Sequence, residues 1–141
     1  MRRRSLNVLV VGTHDWAVEQ SAQAIEASKH TTLRCHEPGE PPFPCNAFIE
    51  GRTCPLETGF DVVLTVRARP LATPTAGEAG VICALRAGAP LVVAGIVDRN
   101  PYTAHASRVV DQQDDLVDAL TSALEPVPVI DLREDAEPWR P

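Results

Sequence analysis

Three cysteines and a histidine lie in one proline-rich segment of this chain: Cys35, His36, Cys45 and Cys54. Thiolates and imidazole are the ligands that zinc prefers, and thiolates also hold iron–sulfur clusters. Two thiols can instead form a disulfide or a redox pair. The segment, here called the cysteine loop (Cys35–Cys54), therefore predicts a metal site, a thiol pair, or free cysteines that serve as small apolar residues.

The spacing of the cysteines bears on this choice. The gaps from Cys35 to Cys45 and from Cys45 to Cys54 are longer than the C-x-x-C pairs of zinc and iron–sulfur sites. Cys45 and Cys54 also flank a stretch short enough to fold back on itself, and a disulfide there would close a small loop. A disulfide is thus slightly favoured over zinc or an iron–sulfur cluster, and free thiols remain an alternative. The fourth cysteine, Cys83, is predicted to lie in the core.

Composition limits the partners. The net charge is −6, and a protein that binds the phosphate backbone of nucleic acids needs a basic face, so nucleic acid is excluded as a general partner. The apolar run Leu6–Val11 is too short for a membrane span or for the core of a signal peptide. From this we expect a cytoplasmic protein, and thiols in that compartment are kept reduced.

Apolar runs alternate with helical patterns along the chain, which predicts an α/β domain over residues 1–125 and a proline-rich acidic tail over 126–141. The predicted strands are Asn7–Gly12, Thr31–Cys35, Phe60–Val66, Pro90–Val97 and Arg108–Val110. The predicted helices are Asp15–Ser28, capped by Thr13 or Asp15, a second that opens with a Thr75–Glu78 capping box and stops at Gly88, and a third from Asp114 to Leu124. Strands that are each followed by a helix or a long loop imply a five-stranded parallel sheet with helices on both faces, and the cysteine loop replaces the second helix.

Further polar residues follow the predicted strands. His14 and Asp15 come after the first strand, Cys35 and His36 end the second, and Arg67 ends the third. Ligands of open parallel sheets bind beyond the carboxyl ends of the strands. We therefore expect these side chains to share one edge of the sheet with the cysteine loop.

The third strand has a recognisable sequence character. Asp61–Pro70 reads Asp-Val-Val-Leu-Thr-Val-Arg-Ala-Arg-Pro and resembles the third strand of the receiver domains of two-component response regulators. The resemblance implies a flavodoxin-like three-layer fold with strand order 2-1-3-4-5 over about Leu6 to Leu124. Receivers carry a phosphate-accepting aspartate where this chain has Val66, and a Mg²⁺-binding acidic pair where it has Gly12 and Thr13. No lysine follows the fifth strand, so phosphorylation by the receiver mechanism is excluded.

Three functional hypotheses follow. The leading one is a non-catalytic, receiver-like sensing or protein-interaction domain whose adaptable surface is the cysteine loop. Its partner would be another protein or a second copy of the chain, and a homodimer would form through the last helix and strand. The alternative is a metal-binding or thiol-redox protein that uses Cys35, His36, Cys45 and Cys54. A third, weaker hypothesis is a small enzyme with His14, Asp15 and Arg67 in the crevice.

Overall fold

The computed structural model describes residues 5–97, 99–111 and 115–125. Five parallel strands form one sheet in the order β2-β1-β3-β4-β5. The strands are β1 (Asn7–Gly12), β2 (Thr31–Leu33), β3 (Val62–Arg67), β4 (Leu91–Gly95) and β5 (Arg108–Val110). The α/β fold class and its flavodoxin-like strand order are therefore confirmed. The predicted tail, 126–141, and the predicted helix cap Asp114 lie outside the described residues.

Both faces of the sheet are covered, which explains the nearly continuous apolar runs of its central strands. Every residue of β3 is buried. In β1, Val8 and Val10 belong to the core cluster on one face, whereas Leu9 and Val11 belong to the cluster on the other. The helices are α1 (Asp15–Ala27), α2 (Pro55–Thr58), α3 (Gly80–Arg86) and α4 (Leu116–Ser122). Residues of α1, α3 and α4 belong to these clusters.

Helices α1 and α4 pack on the first face, where Ile25 and Leu120 are completely buried. The predicted cap of α1 is wrong. His14 is the N-cap residue, and no side chain caps the helix. The two predicted caps have other partners: the Thr13 hydroxyl accepts a hydrogen bond from the Ala68 amide at 3.3 Å, and Asp15 binds the cysteine loop.

Helix α3 packs on the opposite face through Val81 and Ala84. The predicted capping box is present: Thr75 and Glu78 satisfy each other's main-chain amides. It opens a 3-10 turn, Ala76–Glu78, that leads directly into α3. The helix ends, as predicted, just before Gly88, whose φ of +80° is the left-handed conformation that glycine adopts without strain.

Between β2 and β3, where a second long helix would cover the sheet beside α3, the chain forms little regular structure. It has one 3-10 turn, Asn46–Phe48, and the single-turn helix α2. Such short elements cover less of the sheet face than a full helix would, so space remains between them and α3. In the part of the chain that the structure describes, no helix is long and apolar enough to cross a membrane.

Candidate functional site

The space beside α3 is a cleft of about 230 Å³ between the cysteine loop, α2 and the start of α3. We call it the cysteine cleft. Besides His36 and the four cysteines it is lined by small or apolar residues: Leu9, Pro42, Ala47, Phe48, Pro55, Leu56, Ala76, Gly77, Ala79 and Gly80. Leu9, Pro55 and Gly80 are buried and form its floor, whereas Phe48 and Leu56 are exposed at its mouth. The cleft therefore offers an apolar surface that is open to solvent at one side.

All four cysteines of the chain line this cleft, and all four are free thiols. The disulfide that the spacing favoured between Cys45 and Cys54 is not formed. The prediction that Cys83 lies in the core is wrong, because this residue is exposed on α3. The helix turns Val81 and Ala84 toward the sheet, and Cys83, one residue before Ala84, faces the cleft instead.

Cys35 is the innermost of the four thiols. A Cβ atom placed on Gly80 would lie 2.6 Å from its Sγ, so the absence of a side chain at Gly80 makes room for the sulfur. Burial, and to a smaller extent negative charge on Cys45, Cys83 and Cys54, raise the pKa of the Cys35 thiol to about 12. Cys35 is therefore a protonated thiol at neutral pH, and it is a poor nucleophile.

The predicted metal ligands do not form a ligand set. Across residues 5–97, 99–111 and 115–125, no group of three or more His, Cys, Asp and Glu side chains is arranged to hold a metal ion. His36 has a different partner, since its Nε2 lies 3.4 Å from Oδ1 of Asp15. The zinc or iron–sulfur site predicted at Cys35, His36, Cys45 and Cys54 thus has no support from the geometry.

Asn46 fastens the cysteine loop to the end of β2. Its main-chain amide donates to the carbonyl of Cys35 at 2.6 Å, and its side-chain amide donates to the carbonyl of Arg34 at 3.2 Å. Arg52 and Glu40 form an ion pair across the loop with two hydrogen bonds, whose N–O distances are 2.6 and 2.7 Å. These polar contacts hold the loop in place without filling the cleft beneath it.

A second fastening joins the loop to α1. Asp15 accepts a hydrogen bond from the Gly39 amide at 2.9 Å and faces His36. The Gly39 amide, and to a smaller extent His36, lower the pKa of the Asp15 carboxyl. His14 does not line the cleft. Its Nδ1 lies 2.9 Å from the Thr13 hydroxyl, and its ring lies 6.4 Å from that of the exposed Trp16.

Arg67, the remaining predicted site residue, is buried in an ion pair with Glu78. Arg67 is 1% exposed and Glu78 is 0% exposed. Arg67 Nε and Nη2 donate to the two carboxylate oxygens at 3.0 and 2.8 Å, and Thr65 donates to the same carboxylate at 3.1 Å. The guanidinium also donates to the carbonyls of Leu71 and Thr73. These partners enclose the guanidinium, so in this structure it holds the turn after β3 and does not reach His14 or Asp15.

The crevice between the ends of β1 and β3, where ligands of this strand order usually bind, is filled by main chain. The Thr13 amide donates to the carbonyl of Val66 at 3.2 Å. A Cβ atom on Gly12 would lie 2.5 Å from that same oxygen, and one on Gly77 would collide with the Gly12 carbonyl. The crevice is therefore closed here, and the space for a ligand lies in the cysteine cleft instead.

Sequence reasoning missed two residues of this region. Glu78 was predicted only as part of a capping box, and Cys83 only as a core residue. For Cys83 the sequence held no signal that marked it as a cleft residue, because its position beside the cysteine loop depends on how α3 packs on the sheet. For Glu78 the capping box already gave the carboxylate a partner, and nothing in the sequence marked Arg67 as a second one.

Comparison with known proteins adds no identity. No protein-family model, no curated protein and no solved structure matches this chain. The structure thus supports the flavodoxin-like strand order, and no family match supports a receiver-domain assignment.

Proposed function

We propose that the protein is a non-catalytic sensing domain of receiver-like architecture, and that the molecule it senses is a small apolar compound bound in the cysteine cleft. The observation that carries the proposal is the cleft itself, which has apolar walls and lies where the second helix is replaced by the cysteine loop. Concave, mainly apolar sites with a few polar groups are the usual form of small-molecule sites.

The volume of the cleft sets the size of the ligand. An apolar cavity of about 150 Å³ admits benzene, and drug-sized ligands occupy about 300 Å³ or more. A cleft of about 230 Å³ therefore suits one aromatic ring with a short side chain. A ligand of this size has about 11 non-hydrogen atoms, and a net gain of about 0.3–0.4 kcal/mol for each gives about 4 kcal/mol, which corresponds to a dissociation constant of about 1 mM.

Sensing fits the site better than catalysis does. The innermost thiol, Cys35, is protonated, and the carboxylate of Asp15 is already bound to the cysteine loop. A bound ligand would touch Phe48 and Leu56 at the mouth of the cleft. The Phe48 ring also contacts the exposed Phe43 ring, with centroids 5.7 Å apart, so occupancy of the cleft would alter the outer surface of the loop.

Binding of benzylacetone, a single ring with a short ketone chain, tests the proposal by saturation-transfer NMR. Ala79 lines the cleft, and Ala87 lies at the far end of α3, so Ala79→Phe and Ala87→Phe form a matched pair. We expect binding with a dissociation constant of about 1 mM to the wild type and to A87F, and loss of binding in A79F. Equal binding by A79F, or no binding by the wild type, would refute the proposal.

The alternative function, a metal-binding or thiol-redox protein, draws on the same four thiols. Metal content and free-thiol count of the purified protein separate the two. Sensing predicts four titratable thiols and no bound metal, whereas stoichiometric zinc or iron that disappears in Cys45→Ser would establish the alternative. The predicted protein partner, or a homodimer through β5 and α4, stays a prediction.

A further inference from the structure

The four cysteines of this protein do not lie where small apolar residues of the core would lie. The larger core cluster, between the sheet, α1 and α4, contains no cysteine. Of the four cysteines, only Cys35 packs against the opposite cluster. The four thiols come instead from two separate segments: the cysteine loop, which carries three of them, and α3. All of them face one cleft.

The four thiols of the cysteine cleft are available to react with a ligand. They form no disulfide, and in the described residues they do not belong to a metal-holding group. Thiols are the soft nucleophiles of proteins, and the walls around them here are apolar. The chemistry that such a site recognises is that of an apolar molecule with a soft electrophilic carbon.

We propose that the cysteine cleft takes an apolar α,β-unsaturated carbonyl compound and that Cys83 captures it covalently. The inference depends on the proposed function, because the compound must first bind in the cleft. In the reaction the Cys83 thiol gives its proton to water, and the thiolate forms a bond to the β-carbon of the alkene. The electron pair of the carbon–carbon double bond moves to form an enolate, which takes a proton from water at the α-carbon. The product is a thioether, and no oxidant or reductant is consumed.

Position identifies Cys83 among the four thiols. It is the one exposed cysteine in the described part of the chain, so water can stabilise its thiolate, and it lies within a helix that packs on the sheet. Cys35 is deep and stays protonated. Cys45 and Cys54 are half-buried, in a loop that polar contacts tie to β2 and α1.

The apolar walls favour this electrophile over a peroxide or another polar reagent. A polar reagent gains nothing from contact with Phe48, Leu56 and Leu9. A ring bound against these residues is held with its reactive carbon beside the sulfur, and such positioning raises the rate of reaction above that of a free thiol.

Benzylideneacetone, the unsaturated counterpart of benzylacetone, tests the inference, with acrylamide as a polar electrophile. Intact mass spectrometry and peptide mapping follow the adducts on the wild type, Cys83→Ser, A79F and A87F, and glutathione serves as the free thiol. We expect one adduct, on Cys83. The ratio of its benzylideneacetone rate to its acrylamide rate should exceed the glutathione ratio by about tenfold or more. The excess should persist in A87F and disappear in A79F, and C83S should form no adduct.

The other results each overturn the inference. A ratio equal to that of glutathione would show that the cleft does not guide the electrophile. Adducts on Cys45 or Cys54 that persist in C83S would show that a different thiol reacts. Loss of two hydrogens in place of adduct formation would indicate disulfide chemistry. If benzylacetone binds but benzylideneacetone is not captured, this inference fails and the proposed function stands, whereas failure of both compounds to bind refutes both. Far-ultraviolet circular dichroism confirms that each variant is folded.

Discussion

Two regions flank the first turn of α3, and they differ in almost every physical respect. On one side Arg67 and Glu78 are fully buried, and both form several hydrogen bonds. On the other side lies the cysteine cleft, open to solvent and lined by thiols and apolar side chains. The first region has no room for a ligand, and the second has room but few polar contacts. The comparison indicates that the buried ion pair fixes the wall against which the cleft is built.

The largest expected effect is on the closed side. Glu78→Ala leaves the Arg67 guanidinium buried without its counter-ion, and loss of one partner of a buried pair costs about 3–5 kcal/mol. We expect the free energy of unfolding, measured by urea titration, to fall by this amount. The double variant Arg67→Met/Glu78→Leu removes both charges, and it should recover most of the loss. A loss below about 1 kcal/mol in E78A would show that the pair does not fix the wall.

A smaller effect is expected on the open side, at the fastening of the loop. Asn46→Ala removes the hydrogen bond to the Arg34 carbonyl, which costs about 1–3 kcal/mol when it leaves a buried group unsatisfied. Because the cysteine loop contains only one short 3-10 turn, the lost stability should appear as local opening of the loop. Limited proteolysis should cut N46A within the cysteine loop faster than the wild type, and hydrogen exchange in β3 should change little. Equal acceleration of exchange in β3 would show that the loop is part of the global folding unit.

The smallest effect concerns Asp15. Its folded-state pKa lies below the ordinary value of 3.8, so its contacts stabilise the fold above that pH, and this contribution is lost as the pH falls through the lowered pKa. The carboxylate is about half exposed, so Asp15→Asn should cost less than about 1 kcal/mol near neutral pH. The difference in unfolding free energy between the wild type and D15N should stay constant down to about pH 5 and shrink as the pH falls further, through 3.8 and the lowered pKa. A difference that is independent of pH would mean that the charge of Asp15 does not hold the loop.

These regions also show how far the sequence predicts the molecule. The strands were predictable because Val62–Val66, with Thr65 as its one polar residue, and its neighbours in the sheet are nearly continuous apolar runs, and such runs fit buried parallel strands. The capping box at Thr75–Glu78 was predictable because it is a local contact. The ion pair of Arg67 with Glu78 was not, since the two are brought together only when the chain turns back after β3. The convergence of Cys83 with the cysteine loop likewise depends on tertiary packing.

The most direct test of the central claim is to locate the ligand. Titration of isotopically labelled wild-type protein with benzylacetone, followed by amide chemical shifts, reports which side of the molecule responds. The cleft predicts shifts centred on Leu9, Gly80 and Cys83 and on the cysteine loop. Shifts centred instead on the groove at Gly59 and Ala87–Pro90, or no shifts at millimolar ligand, would contradict the account.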